Sequence, residues 1–261
     1  MLPENQLVEY YTYDSSCWIK KIAETIIELP ILLTVNGEVW FSFMCTPVDL
    51  EALAVGFLYN EGFIETIDDV ASLRICPTGD NIDVWLHKNI AKPDEWRRTS
   101  GCTGGITSVQ SLDPKTVSTT TSINDDFILP PEQIGELIEL LQESQDIYKK
   151  SGGIHSSALS DGKELVVVSE DIGRHNTLDK IAGHCLLDKI KIPQRILLTT
   201  GRISSEMMQK SSRLTATIVI SRTSPSSLSI QMAERLGITL IGYANYNYLR
   251  VYTHPVRILG K

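Results

Sequence analysis

The chain has 261 residues, of which 42% are hydrophobic and 21% charged, and its formal net charge is −8 at pH 7. This composition is typical of a globular protein of one or two domains, and the negative charge argues against nonspecific binding to nucleic acid or to an anionic membrane. No apolar run is long enough to span a membrane, and residues 1–16 lack the features of a secretory signal, so we expect a cytoplasmic protein.

The first half of the chain predicts a mixed α and β unit that contains hairpins. Two apolar segments flank Asn36-Gly37, which is the strongest short signal for a type I′ hairpin turn. Two further short strands are predicted near 70–76 and 81–86, on either side of the polar turn 77–80.

A helix is predicted between these two hairpins. Thr46 is suited to cap its start, and Pro47 is suited to its first turn. The helix is expected to run to about Asn60 and to end near Gly62.

Residues 97–125 are rich in Gly, Ser and Thr and show no hydrophobic periodicity, which predicts a long mobile loop that ends an N-terminal domain of residues 1–125. Cys102 lies between glycines in this loop, where Arg97 and Arg98 could favour the thiolate. From the residues alone, a reactive thiol and an incidental loop cysteine are equally well supported.

The remaining cysteines form no Cys-x-x-Cys pair, so neither a structural zinc site nor a disulfide framework is expected. We expect most of them to be small buried hydrophobic residues. They are Cys17, Cys45, Cys76 and Cys185.

Residues 126–261 predict a second domain, in which helices and strands alternate. An amphipathic helix follows Pro130-Pro131 and ends near Gly152, and a hairpin turned by Asp161-Gly162 comes next. The later elements alternate, which implies right-handed crossovers and a mainly parallel sheet. They are strands at 164–169, 195–200, 216–221 and 238–243 and helices at 175–188, 204–213 and 225–236.

Polar residues follow each of the four predicted parallel strands, and open α/β sheets bind ligands along that edge. Arg202 and Arg222 each stand between a strand and a helix, and Ser204 is suited to cap one of these helices. A helix start beside an arginine is an anion site, typically for phosphate. One such arginine could simply be solvated, but two at matched positions favour an anion.

The first of these strand ends carries a dense polar cluster. An apolar run closes with Glu170 and Asp171, and Gly173, Arg174 and His175 follow directly. An ordinary strand-to-helix turn with solvated charges is the plain alternative. The density of charged and polar groups favours a binding site.

This stretch, EDIGRHNTLDKIAG (170–183), resembles the EDvGRHNAlDKxxG signature of the formate dehydrogenase accessory protein family, FdhD. The resemblance extends over nearly the whole chain, from about residue 24 onward. Further matching segments are ILLTVNG (31–37), CTPVDLEALAVGFLYNEGFI (45–64), SGC (100–102), SGGIHSSAL (151–159), GRISSEMMQKS (201–211) and YTHPVRIL (252–259).

The resemblance implies a sulfurtransferase. Members accept persulfide sulfur from a cysteine desulfurase on a loop cysteine and pass it to the molybdenum bis-guanine-dinucleotide cofactor required by formate dehydrogenase. Cys102 matches the first cysteine of the family loop SGCGxCG, whereas Gly105 stands at the second. One thiolate suffices to hold sulfane sulfur. A homodimer is expected, with no nucleic-acid and no membrane partner.

The resemblance also implies the fold and further site residues. The C-terminal domain of residues 126–261 is expected to be a cytidine deaminase-like three-layer α/β domain with a mainly parallel sheet, beside a smaller mixed α+β N-terminal domain. His155 lies in a matching segment near the predicted site, although a structural histidine is the plainer interpretation.

The family's cofactor segment falls on residues 243–248. Aromatic rings can stack on guanine and asparagine can read a base edge, so GDP-like ligands are expected to bind, with Tyr246 and Asn247 as the main contacts. Alternatively, Tyr243 simply ends a strand and packs. The full segment is Tyr243, Ala244, Asn245, Tyr246, Asn247 and Tyr248.

Deaminase activity is excluded because a zinc deaminase needs a Pro-Cys-x-x-Cys motif at a second helix start. His175 could be one ligand, but no cysteine occurs from residue 186 onward, so no metal is expected. Two alternatives stay open: a cofactor-binding chaperone without chemistry at Cys102 and, less well supported, an unrelated nucleotide-binding enzyme.

Overall fold

The computed structural model describes residues 2–93, 96–98, 106–108 and 127–259. Cys102, Gly105 and the predicted domain boundary at 125 lie outside the described residues. In the described ranges, no helix combines the length and apolar character needed to cross a membrane.

A long antiparallel hairpin comes first, formed by β1 (Asn5–Asp14) and β2 (Cys17–Ile26), and the sequence analysis did not predict it. Its turn is Ser15-Ser16, and both serines have positive φ angles, 48° and 70°. Glycine or asparagine usually occupies such positions, so these serines give no sequence signal for a tight turn. One face bears five large apolar side chains that are 62–72% exposed. They are Leu7, Tyr11, Tyr13, Trp18 and Ile22.

The N-terminal core is a four-stranded sheet packed against one helix. Asn36 (φ 50°) and Gly37 (φ 81°) confirm the type I′ turn. The sheet order is β4-β3-β6-β5, and β3 and β6 are its parallel pair. The elements are β3 (Leu29–Val35), β4 (Glu38–Cys45), α1 (Leu50–Asn60), β5 (Val70–Ile75) and β6 (Asn81–Leu86).

A short antiparallel pair follows in the region where the sequence predicted no regular structure. It consists of β7 (Trp96–Arg98) and β8 (Ile106–Ser108). The prediction of a loop throughout 97–125 is therefore wrong at these two strands.

Thr46 does not cap α1, so that prediction is wrong. The helix begins at Leu50, directly after Asp49, which has a left-handed backbone (φ 50°). Thr46 instead bonds across the molecule: its Oγ1 accepts a hydrogen bond from the Ile172 backbone N (3.2 Å), and its own N donates to Asp171 Oδ2 (3.2 Å). Tertiary partners thus override the local capping signal.

The second half forms a six-stranded sheet of order β10-β9-β11-β12-β13-β14. β10 and β11 are both antiparallel to β9 between them, and β11, β12 and β13 are parallel neighbours, so four strands run in one direction, as predicted. The strands are β9 (His155–Ser160), β10 (Leu165–Asp171), β11 (Ile196–Thr199), β12 (Ile218–Ser221), β13 (Thr239–Asn245) and β14 (Tyr248–Val251).

Helices cover both faces of this sheet, which gives three layers. The predicted helix after Pro130 is two helices, because the chain breaks at Ser144 and Gln145. The helices are α2 (Pro131–Glu143), α3 (Asp146–Ser151), α4 (Arg174–Leu187), α5 (Ser205–Arg213), α6 (Ser227–Leu236) and α7 (Val256–Leu259). One apolar core lies between the sheet and α2, and another between the sheet and α4, α5 and α6. The cytidine deaminase-like assignment stays a prediction.

The two halves meet where α1 crosses α4 at a pair of glycines. A Cβ atom added to Gly56 would lie 1.7 Å from the Asp179 carbonyl oxygen, and one added to Gly183 would lie 1.9 Å from that of Ala52. Asn60 Nδ2 also donates to Asp179 Oδ1 (2.7 Å). Because backbone touches backbone here, α1 holds the N-terminal sheet directly against the layer that carries the EDIGRHN motif.

Candidate functional site

The carboxyl ends of β10, β11, β12 and β13 lie along one edge of the sheet, as predicted. Hydrogen bonds join the turns behind them: Ile203 N donates to Ser224 O (3.2 Å), and Ser226 N donates to Ile203 O (2.9 Å). Tyr243 N in turn donates to Thr223 O (2.9 Å). The turns after the last three of these strands therefore form one continuous edge.

Glu170 is buried, and both of its carboxylate oxygens have partners inside the protein. They accept hydrogen bonds from the Ile147 N (2.8 Å) and Tyr148 N (3.1 Å) at the start of α3, and from Ser156 Oγ (3.2 Å). Since the first turn of a helix leaves its N–H groups without intrahelical partners, Glu170 fixes α3 to the end of the sheet. In this arrangement its carboxylate is directed inward.

Asp171 is the centre of a buried network that joins the two halves. Its carboxylate lies 2.7 Å from Lys180 Nζ and accepts hydrogen bonds from Gly173 N (2.7 Å) and Asn176 Nδ2 (2.8 Å). Lys180 Nζ also donates to the Thr46 carbonyl (3.3 Å). The second acid of the motif thus ties the site edge to the N-terminal half.

His155, Arg174 and Arg202 come together at the end of β11. A Cβ atom on Gly201 would lie 3.0 Å from Arg174 Cβ and 3.5 Å from His155 Nδ1, so both side chains pack closely against this glycine. Burial, and then the positive charges of Arg174 and Arg202, lower the pKa of His155 below its usual 6.5. A neutral imidazole can both donate and accept a hydrogen bond at this position.

His175 is buried and supports the start of α5. Its Nε2 lies 3.4 Å from the Oγ of Ser204, which caps α5 by accepting from Met207 N (3.4 Å). Burial, and then the charges of Lys210 and Arg174, hold the pKa of His175 well below 6.5. The neutral ring therefore positions the capping serine.

Arg202 and Arg222 are exposed at this edge, each just ahead of a helix start. Ser204 caps α5, as the sequence predicted. Ser226 caps α6 by accepting from Ser229 N (3.1 Å), and the sequence analysis missed it by starting that helix at residue 225. Two exposed guanidinium groups thus stand beside two helix N-termini on a chain of net charge −8. This stays a predicted anion-binding edge.

Residues 243–248 comprise the end of β13, the two-residue turn Tyr246-Asn247 and the first residue of β14, and their side chains face different parts of the molecule. Ala244 is buried in the core on the α2 side. Tyr246 lies against α2, where a Cβ on Gly135 would be 3.0 Å from its carbonyl oxygen. Asn245 Oδ1 accepts from Asn247 N (3.0 Å) and so shapes the turn.

Arg250 adds a cation to this segment, and the sequence analysis missed it. Its Cζ lies 4.3 Å from the ring centroid of Tyr243 and 5.6 Å from that of Tyr248. Its Nε donates to the Tyr248 hydroxyl oxygen (2.6 Å). The alternation of residues 248–251 places Arg250 on the same face of β14 as Tyr248, but it does not give the pairing that brings Arg250 to Tyr243.

Two of the four described cysteines fit the expectation of inert buried thiols. Burial raises the pKa of both Cys45 and Cys185, which disfavours their thiolates. Cys76 is partly buried in a turn, where its Sγ contacts Asp80 Oδ1 (2.9 Å). Cys17 is exposed, which contradicts the expectation for that residue.

Within the described ranges, no three His, Cys, Asp or Glu side chains are grouped so that they could hold a metal ion. Whether the purified protein carries zinc is a separate question, and the expectation that it carries none stays a prediction.

Three comparisons relate the chain to known proteins. The model of the FdhD/NarQ family matches residues 26–259. The sulfur carrier protein FdhD of Bacillus subtilis (strain 168) is 34% identical over 245 residues, which are 92% of this chain and 92% of the relative. The protein of the same name from Halalkalibacterium halodurans is 37% identical over 242 residues, covering 89% of this chain and 87% of the relative.

A solved structure agrees with the sequence comparisons. The crystal structure of a candidate formate dehydrogenase accessory protein from Desulfotalea psychrophila is 28% identical in sequence and superimposes with a TM-score of 0.80. The match covers 98% of this chain and 100% of that one. The fold is therefore similar across both halves.

Proposed function

Because the chain belongs to the FdhD/NarQ family, we propose that it is a sulfur carrier in formate dehydrogenase maturation, with Cys102 as the residue that holds sulfur. The distribution of thiols is the observation that carries this proposal. Cys45 and Cys185 are buried with raised pKa values, and Cys76 is partly buried. Cys102, in its glycine-rich and polar sequence, and the exposed Cys17 are the remaining candidates.

The proposed loading step is a thiol–persulfide exchange. The Cys102 thiolate attacks the terminal sulfur of a persulfide on a cysteine desulfurase. A new S–S bond forms at Cys102 while the S–S bond of the donor breaks, and the donor cysteine leaves as a thiolate. Sulfur keeps its oxidation state in this exchange, so no further oxidant or reductant is needed.

The proposed acceptor is the molybdenum bis-guanine-dinucleotide cofactor, which is a substrate here. Its pyrophosphate groups suit the edge formed by Arg202, Arg222 and the starts of α5 and α6, because charge-assisted hydrogen bonds and helix N–H groups favour phosphate. GDP and related nucleotides should bind at the same edge. Cysteine desulfurase and formate dehydrogenase are the proposed partners, with a homodimer in the cytoplasm as the working form.

A chaperone that delivers the cofactor without sulfur chemistry is the second candidate. Gly105 stands where the family loop has its second cysteine, so this chain has no two-cysteine relay in that loop. Binding along the strand edge would serve a chaperone as well as a carrier, so the two candidates differ only at Cys102.

The test is activation of formate dehydrogenase in cells that lack this accessory protein. Cys102→Ala should abolish activation, whereas Cys17→Ala, the matched control at the other candidate thiol, should support it fully. Both variants should retain the thermal stability and GDP affinity of the parent. Full activation by both Cys102→Ala and the double variant Cys102→Ala/Cys17→Ala, with normal GDP binding, would favour the chaperone instead.

A further inference from the structure

We infer that Arg250 is a specificity-determining residue, which recognises the guanine base of the bound nucleotide. This inference rests on the proposed function, because it takes a guanine nucleotide to bind along the strand edge. It assigns base recognition to Arg250 with Tyr243 and Tyr248, in place of Tyr246 and Asn247, which the sequence analysis favoured.

The guanidinium group of Arg250 is held in place before any ligand arrives. It lies against the ring of Tyr243 (4.3 Å to the centroid), and its Nε donates to the hydroxyl of Tyr248 (2.6 Å). All three side chains are exposed. Tyr252 is a second hydrogen-bond partner of Arg250. Because a guanidinium has five N–H groups, one that is fixed in this way still presents outer N–H groups to a ligand, with little rotamer entropy left to lose on binding.

The position of Arg250 places it beside the anion-binding edge. Arg250 pairs with Gly242 across β13 and β14, and directly paired residues face the same side of a sheet. A Cβ on Gly242 would lie 2.9 Å from Pro225 Cδ and 3.0 Å from the Thr223 carbonyl, both in the turn that follows Arg222. Arg250 therefore lies on the face that carries the start of α6.

Tyr246 is on the other side of the sheet, against Gly135 of α2. A nucleotide whose phosphates meet Arg222 and the start of α6 would reach Arg250 without crossing the sheet. The backbone around Tyr243 supports this geometry, since it has a positive φ (53°) at an irregularity in the β13–β14 pairing. Positive φ angles at residues other than glycine are uncommon and are concentrated at functional sites.

The chemistry of the fork favours guanine over adenine. Guanine presents two acceptors, O6 and N7, which match the paired N–H groups of an arginine. Adenine presents the N6 amino donor in place of O6, so one N–H group of Arg250 would face another donor. Inosine keeps O6 and N7 and lacks only the 2-amino group, so it separates this contact from others on the base.

Calorimetric titration with GDP, IDP and ADP tests the inference on the full-length protein. The parent protein should bind GDP and IDP alike and ADP roughly tenfold or more weakly, the discrimination that one bidentate arginine–guanine pair provides. Arg250→Ala should lose that preference and bind all three with the affinity of ADP. Arg235→Ala, an exposed arginine in the last turn of α6, is the matched control and should bind like the parent.

Arg222→Ala should weaken all three nucleotides by a similar factor, since phosphate is common to them. If Arg250→Ala keeps the parent's preference for GDP and IDP over ADP, the assignment of Arg250 is wrong, while nucleotide binding at the anion-binding edge is still supported. A preference for GDP over IDP together with equal binding of IDP and ADP would also overturn it, because the 2-amino group would then be the group recognised. Absence of nucleotide binding by the parent would overturn both the inference and the proposal that the cofactor binds at the anion-binding edge.

Discussion

Lys180 shows how one residue joins the parts of this molecule. Its side chain is fully buried, and its ammonium group contacts the Asp171 carboxylate (2.7 Å) and the carbonyls of Thr46 and Glu170. These partners come from the segment after β4 and from the end of β10. The EDIGRHNTLDK sequence therefore contains both members of a buried ion pair. Sequence reasoning assigned Asp171 to a ligand site and gave Lys180 no role.

Lys180→Met should lower the free energy of unfolding by about 3–5 kcal/mol, because Asp171 would remain as a buried charge without its cation. The matched control is Lys20→Met at the exposed Lys20–Glu9 pair of the first hairpin, which should cost less than about 1 kcal/mol. Urea unfolding of the three proteins measures both values. Equal losses for the two variants would show that the buried pair does not join the halves as described.

Histidine titration offers a test at single residues. Burial, with Arg174 and Arg202, lowers the pKa of His155 below 6.5, whereas hydrogen bonding to Asp49 raises the pKa of His184 above 6.5. NMR titration should show this order, and Arg202→Ala should raise the pKa of His155 and leave that of His184 unchanged. A His155 pKa at or above 6.5 in the parent protein would contradict the described surroundings.

The same shift has a consequence for folding stability. A histidine whose pKa is lowered on folding binds more protons in the unfolded chain, so its contribution to stability is present above pH 6.5. That contribution is lost progressively as the pH falls below 6.5. His175, whose pKa is also lowered, adds to the effect in the same direction, and His184 opposes it.

At the scale of elements, short sequence signals correctly predicted the hairpin turns and the alternation of helices and strands. Asn36-Gly37 and Asp161-Gly162 marked two hairpins correctly, because few residues adopt the backbone of such turns. The alternation of helices and strands after residue 164 gave the parallel strands and hence the shared edge. The prediction that Thr46 caps α1 was wrong because it used only the residues next to Thr46 in sequence. In the structure, Thr46 forms hydrogen bonds with Asp171 and Ile172 across the molecule.

Other elements could not be predicted from local sequence. The β1–β2 hairpin turns at two serines with positive φ and leaves apolar residues exposed, so neither turn chemistry nor burial marks it. Arg250 contacts Tyr243 only because β14 folds back along β13. The pairing partner, which sequence alone does not give, decides where that side chain lies.

The crossing of α1 and α4 gives a prediction at the scale of elements. Gly56→Ala should destabilise the protein by roughly 3 kcal/mol or more, since the new Cβ would meet the Asp179 backbone at 1.7 Å and neither helix can move without opening the core. Gly135→Ala in α2, where the nearest atom is 3.0 Å away, is the milder control. Chemical unfolding measures both. A gain of about 1 kcal/mol in Gly56→Ala, as helix propensity alone gives, would contradict the crossing.

At the scale of the whole molecule, the two halves form one structure around the EDIGRHN segment. The α1–α4 crossing and the Thr46–Asp171–Lys180 network fix the N-terminal half beside the strand edge. Sequence reasoning predicted the edge and its two exposed arginines, because they follow from strand direction and helix starts. It assigned Glu170 and Asp171 to ligand binding, and the structure gives both acids partners inside the protein.

The central claim is that this protein carries sulfur on Cys102. Intact-mass analysis after incubation with a cysteine desulfurase and cysteine tests it most directly, with peptide mapping to place any added mass. We predict a gain of one sulfur atom that a thiol reductant removes, that maps to Cys102, that persists in Cys17→Ala and that is absent from Cys102→Ala. A reducible sulfur on Cys17, or no gain of sulfur under conditions in which the desulfurase carries its own persulfide, would contradict the claim.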